Sequence, residues 1–172
     1  KRANPVLINV LEDLEQHPMV RHEAAEALGA IGSPESIEVL KKFKNDPETA
    51  VAQTCELALD RINWLQNIEP KSNLSANPYN SVDPAPPTIQ SEDTEELKRI
   101  LLDEKDTLFN RYRAMFSLRN LRSKQSVIAL GEALTHGSAL FKHEIAFVLG
   151  QLQDENSVPY LIHSLEDTSE NE

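Results

Sequence analysis

An all-α chain of helical-hairpin repeats, arranged in two halves, is predicted by three observations. The composition favours helix: of 172 residues, 40% are hydrophobic but only 5% aromatic, and just 5 are glycine, a profile short of the aromatic and β-branched runs that make strands. Apolar residues recur at helical spacing in short segments, each closed by Pro, Gly or Asn. One stretch also occurs twice. Met19-Val20-Arg21-His22-Glu23-Ala24-Ala25-Glu26-Ala27-Leu28-Gly29 and Leu140-Phe141-Lys142-His143-Glu144-Ile145-Ala146-Phe147-Val148-Leu149-Gly150 lie 121 residues apart and share a basic residue, His-Glu, and a Gly beyond five intervening residues. Self-similarity of this kind is the mark of a repeat architecture.

In chain order, Pro5 to Leu14 reads as the first helix, with Val6, Leu7, Val10, Leu11 and Leu14 on one stripe and Pro5 in the first turn. Gln16-His17-Pro18 breaks it. The second runs from Met19 to Ile31, with Val20, Ala24, Ala27, Leu28 and Ile31 inward and Gly32 as its stop. Ser33 is expected to N-cap a third, which turns Ile37, Leu40 and Phe43 inward and ends at Asn45-Asp46-Pro47. A fourth, Thr49 to Trp64, carries Val51, Cys55, Leu57, Ala58, Leu59 and Ile62. At a shift of 31 this helix superposes on the second and places Gln53-Thr54 at the His22-Glu23 position. The fold therefore does not need His-Glu to form.

Periodicity then collapses, and four prolines within Pro78–Pro87 predict an extended linker. The expected organisation is an N-terminal half at 1–66, a linker at 67–92 and a C-terminal half at 93–172. In that second half Thr94–Leu102, Leu108–Leu121, a helix around Val127–Leu134, Leu140–Leu152 and Ser157–Leu165 read as helices. Matching Leu108-Phe109 with Leu140-Phe141 gives a shift of 32 and puts Arg111-Tyr112 at the His143-Glu144 position.

A formal charge of −11 and a pI near 4.9 repel nucleic acid and anionic membranes and suit a basic partner. The lone Cys55 cannot form an internal disulfide, and the sequence shows neither a signal peptide nor a run of eighteen apolar residues. Together these predict a cytoplasmic protein with no membrane span. Ser-His-Asp arrangements, phosphate-cradling Gly loops and basic aromatic patches are not found.

The chemistry rests on His-Glu. Neighbouring residues on a helix diverge by about 100°, so the pair is not expected to chelate as an i, i+4 pair does. Equivalent positions of adjacent repeats can converge on one face instead. Imidazole and carboxylate without thiolate suit iron, manganese or zinc, and two His with one carboxylate suit non-haem iron and oxygen chemistry. A single His-Glu on a surface helix is ordinarily a solvated pair. Recurrence in one register, with other residues in the intervening repeats, singles out His22, Glu23, His143 and Glu144. His17, His136 and His163 read as structural or solvated, Cys55 as a buried thiol, and Gly29 and Gly150 as points of close helix approach. Arg21 and Lys142, which precede each His, are candidates for pairing with an acidic neighbour.

A wider alignment sets Pro5 on Pro159, Leu7 on Leu161, Leu11 on Leu165 and Asp13 on Asp167. Continued, it places a counterpart of His22 about four residues beyond Glu172 and one of His143 about eleven residues before Lys1. The two motifs are thus expected to be the inner pair of four.

Longer stretches resemble deoxyhypusine hydroxylase (deoxyhypusine monooxygenase), a HEAT-repeat diiron family. Pro18-Met19-Val20-Arg21-His22-Glu23-Ala24-Ala25-Glu26-Ala27-Leu28-Gly29-Ala30 looks like its second His-Glu motif, and Thr54-Cys55-Glu56-Leu57-Ala58 with Arg61-Ile62-Asn63-Trp64 like the helix that follows. Tyr79-Asn80-Ser81-Val82-Asp83-Pro84-Ala85-Pro86-Pro87 is similar to its interdomain linker. Phe109-Asn110-Arg111-Tyr112-Arg113-Ala114-Met115-Phe116 and Leu140-Phe141-Lys142-His143-Glu144-Ile145-Ala146 resemble the start of its second half and its third motif. The resemblance implies a cytoplasmic, monomeric monooxygenase that uses O₂ and two irons to hydroxylate the deoxyhypusine side chain of a translation initiation factor. It implies that His22 and Glu23 ligate one iron and His143 the other. Glu144 would be a ligand, or a carboxylate that meets the cationic substrate amine. The family's first and fourth motifs are absent from these residues, so this stretch alone is expected to bind iron weakly and turn over poorly. The alternative is a HEAT-repeat interaction scaffold or a bilin-lyase-like relative without metal chemistry.

Overall fold

The computed structural model describes residues 2–67, 74, 77–88 and 93–170, and among these every regular element is helical. The helices are α1 (Asn4–Glu12), α2 (Pro18–Ile31), α3 (Ile37–Phe43), α4 (Thr49–Asn67), α5 (Thr94–Leu102), α6 (Leu108–Leu121), α7 (Lys124–Ala133), α8 (Ala139–Leu152) and α9 (Val158–Glu166). Short 3₁₀ turns at Pro34–Ser36 and Glu155–Ser157 lead into α3 and α9. The described residues divide into two compact units, one drawn from Lys1–Ser72 with Val82–Ala85, the other from Asn73–Ser81 with Pro86–Glu172. The predicted linker positions 68–73, 75–76 and 89–92 lie outside the described residues.

Helices α2, α6 and α8 follow one ruler. Each starts after a side-chain cap that accepts a backbone N–H of the first turn: His17 Nδ1 from Met19, Thr107 from Asn110 and Ser138 from Phe141. Each runs 14 residues and closes on a left-handed residue, Gly32, Arg122 or Gln153. Only Gly32 adopts that conformation without steric cost. The caps Thr107 and Ser138 are 31 residues apart, which corrects the shift of 32 expected from Leu-Phe matching. Tyr112-Arg113, not Arg111-Tyr112, therefore occupies the His143-Glu144 position, and Arg111 corresponds to Lys142 and Arg21. Ser33 is also corrected. Its side chain makes no cap bond, because the chain enters a 3₁₀ turn whose orphan Ser36 N–H goes to the Ser33 carbonyl at 3.0 Å.

In the first unit α2 packs against both α1 and α4. Leu11, Ala25, Leu28, Leu40, Val51, Cys55 and Ile62 are fully buried there. Burial, with the Asp46 charge adding to it against Arg21, pushes the Cys55 thiol up to about 12, so it stays protonated and inert. The Arg21 guanidinium is also buried, with Nε donating to the Leu11 carbonyl and both terminal nitrogens to Asp46. The expected inward positions Val6, Leu14, Val20 and Ile31 are exposed. A helix buries the strip that faces its neighbours, and these side chains lie off that strip or, for Leu14, past the end of α1.

Gly29 sits where a Cβ would meet Cβ and Cα of Ala58 on α4 at 2.7 and 2.9 Å, so close approach does explain it. Among the described residues Gly150 has nothing within 4 Å of the same position, and close approach does not explain it there. It lies on the face of α8 that corresponds to the α4-facing side of α2. The two glycines should therefore respond oppositely to alanine. Gly150→Ala gains about 1 kcal/mol of helix propensity, whereas overpacking of about 1–3 kcal/mol offsets or exceeds that gain in Gly29→Ala. Urea unfolding of both variants measures the difference, and equal gains would refute it.

In the second unit the Arg111 Nε donates to the Leu101 carbonyl at 2.9 Å, repeating the Arg21–Leu11 contact. Its guanidinium lies 3.9 Å from the Phe141 ring centroid. Lys142, the Arg21 counterpart on α8, pairs with Glu170 at 2.6 Å. The described linker residues are held through their carbonyls. In the first unit Arg61 Nε donates to Asp83 O. In the second, Arg113 donates to Pro86 O and Pro87 O, and the Thr88 N–H reaches Ser117 Oγ at 2.8 Å.

Candidate metal centre

The cap that starts α2 sets its chemistry. Counting from His17, the helix turns His22 toward α4 and leaves Glu23 in solvent. His22 is 2% exposed, and its Nδ1 lies 2.7 Å from Thr54 Oγ1. Glu23 is open to solvent, with 69% of its side chain exposed. On α8 the burial is reversed: Glu144 is buried and His143 exposed. The reason is the stack. Within a repeat the His side faces the following inner helix and the Glu side the preceding one. Helix α2 has α4 after it, and α8 has α6 before it.

The imidazole does meet the neighbouring carboxylate, against expectation: His22 Nε2 lies 3.7 Å from Glu23 Oε1. Glu26, one turn further along, joins them, and ligand atoms of His22, Glu23 and Glu26 all lie within 4.8 Å of one another. Burial, then the Glu23 charge, raises the Glu26 carboxyl above its ordinary range. Glu26 is not marked by the repeat, whose second copy has Phe147 at that step, yet it stands at i+4 from His22, the helical spacing that brings two side chains together.

One imidazole and two carboxylates fit a divalent first-row metal such as iron. Metal bonds of about 2.0–2.2 Å require the donors to draw closer, and the exposed Glu23 side chain has the freedom to do so. Around His143 and Glu144 no third His, Cys, Asp or Glu is gathered among the described residues. The α8 counterpart of Glu26 is Phe147, 52% exposed. His136 and His163 instead line a cleft of about 410 Å³ with Tyr160 and Asp167. His17 serves as the α2 cap.

Residues 1–60 match the family described as HEAT repeats, and 111–136 and 141–167 match the PBS lyase HEAT-like repeat. The chain is 55% identical to deoxyhypusine hydroxylase of Drosophila melanogaster over 99% of its own length and 56% of that protein's. It is 53% identical to deoxyhypusine hydroxylase of Homo sapiens over 99% of itself and 55% of the relative. A solved structure of human deoxyhypusine hydroxylase in complex with glycerol superposes with a TM-score of 0.91 at 53% identity, over 99% of this chain and 58% of that one. Over these residues the chain is similar to deoxyhypusine hydroxylases in both sequence and fold. It spans about half the length of the curated relatives it matches. The HEAT-type repeats matched over these residues account for the helical hairpins, and the His-Glu steps of α2 and α8 lie within them. No helix among the described residues is long and apolar enough to cross a membrane.

Proposed function

We propose that this chain contributes to an iron- and O₂-dependent monooxygenase that hydroxylates the deoxyhypusine side chain of a translation initiation factor in the cytoplasm. The observation that carries this reading is identity of 53–56% to deoxyhypusine hydroxylases along nearly the whole chain. It favours the enzyme over a HEAT-repeat scaffold without metal chemistry. His22 and Glu23 would hold one iron, with Glu26 beside them, and His143 and Glu144 would serve the second. Bound iron supplies the redox chemistry by which O₂ is activated. The protein's own part is to present the imidazole from a buried position, to keep the Glu23 carboxylate mobile enough to close on the ion, and to offer acidic groups to a cationic side chain. Glu144 is the carboxylate proposed to meet the substrate amine or the second metal. The net charge of −11 favours association with a basic partner.

The test uses protein expressed from its natural coding sequence. Iron content per chain is measured, and hypusine is quantified by amino-acid analysis of the deoxyhypusine-bearing factor after incubation. The wild type should contain iron and form hypusine, and His22→Ala should lose iron and nearly all product. An iron-free wild type, or a His22→Ala protein that still hydroxylates the factor, would sink the proposal.

A further inference from the structure

Thr54 lies on α4, 4% exposed, at the position that corresponds to Glu23 on the preceding repeat. Its hydroxyl has one proton, and the Ala50 carbonyl 2.8 Å away takes it. Oγ1 is therefore left as an acceptor toward the second contact, His22 Nδ1 at 2.7 Å. Were the hydroxyl turned to the imidazole instead, its oxygen lone pairs would face those of the Ala50 carbonyl at that separation. With Nδ1 carrying the proton, the neutral ring has its lone pair on Nε2, the nitrogen 3.7 Å from Glu23 Oε1.

We infer that Thr54 is a positioning residue that fixes His22 in the Nδ1–H tautomer, so that the Nε2 lone pair is presented beside the Glu23 carboxylate. A neutral imidazole binds a metal through one nitrogen, and the hydrogen bond made by the other decides which. Neither alanine nor valine at position 54 can accept that proton, while serine can. The consequence for metal binding rests on the reading of His22 as a ligand; the tautomer does not.

The experiment has two readouts on the same metal-free protein, labelled with ¹⁵N-histidine. The first is the ¹⁵N spectrum at alkaline pH, where the imidazole is neutral. His22 should show a protonated Nδ1 and a lone-pair-bearing Nε2, Thr54→Ser should keep that pattern, and Thr54→Val should lose it. Thr54→Ala serves as the second variant should valine perturb folding. A wild-type His22 protonated on Nε2 alone, or a Thr54→Val spectrum unchanged from wild type, overturns the inference. The second readout is Co²⁺ affinity by titration of the d–d absorption. It should fall roughly ten- to hundred-fold in Thr54→Val and be restored in Thr54→Ser. A wild type with the stated tautomer that binds no Co²⁺ supports the role of Thr54 and removes the metal reading instead.

Discussion

Arg21→Ala is expected to cost the first unit about 3–5 kcal/mol, measured as a fall in the urea midpoint and in hydrogen-exchange protection of α1 and α2. The guanidinium joins the Leu11 carbonyl at the end of α1 to both oxygens of Asp46 beyond α3, with side-chain exposures of 4% and 1% for the pair. Removal leaves a buried carboxylate without its counter-charge, and that is the dominant loss. Lys42→Ala removes an ion pair to Glu12 of nearly equal length, but those side chains are 62% and 42% exposed. About 0–1 kcal/mol is expected there. The pH dependence separates the two further. Burial alone would raise the Asp46 carboxyl, yet the Arg21 hydrogen bonds, the Glu48 N–H and the Arg21 charge together hold it below its ordinary 3.8. The stability this supplies is fully present above about pH 4 and is lost as the pH falls through the lowered value. The gap between wild type and Arg21→Ala should therefore narrow toward pH 3. A loss below 1 kcal/mol at neutral pH, or a gap that does not narrow in acid, would contradict the account.

Phe141→Ala should destabilise the second unit by a similar amount, about 3–5 kcal/mol. Phe141 is fully buried, its ring meets Tyr112 at 5.8 Å between centroids, and the Arg111 guanidinium lies over it. Truncation opens a cavity between α6 and α8 and strips the cation of its aromatic cover. Phe141→Leu retains much of the volume but not the π face. It should fall between the two, which separates the packing loss from the cation–π contribution. Denaturant unfolding followed by the protection of α6 and α8 amides measures all three proteins. Equal stability of the leucine variant and wild type would show that the guanidinium gains nothing from the ring.

What was legible in the sequence follows from which signals are local. Helix existence was readable because Pro18, Gly32, Pro47 and their neighbours punctuate the apolar runs, and punctuation acts within a few residues. Inwardness was not, because periodicity identifies an apolar stripe but not the neighbour that covers it. Val20 and Ile31 fit the helical spacing of α2 and still face solvent. The one-residue error between α6 and α8 has a physical root as well. Leu-Phe pairs occur near both starts, yet register is set by the caps Thr107 and Ser138. The pair His22 and Glu23 was found by recurrence, whereas Glu26 has no counterpart in the second copy. Thr54 could be recognised only once α4 lay beside α2, since its bond to His22 spans 32 residues.

The shared count from cap to left-handed closure has an evolutionary consequence. Because α2, α6 and α8 begin and end at matching steps, a residue pair five and six places after the cap is a portable cassette. Two codon changes at Tyr112 and Arg113 would write the same dipeptide into α6 without touching its cap or its closure. A single inserted residue before that dipeptide would swing it by about 100° off its face. Such a scaffold gains or loses a His-Glu step by point substitution, but it punishes insertions, so its lineages should drift in letter far more readily than in length.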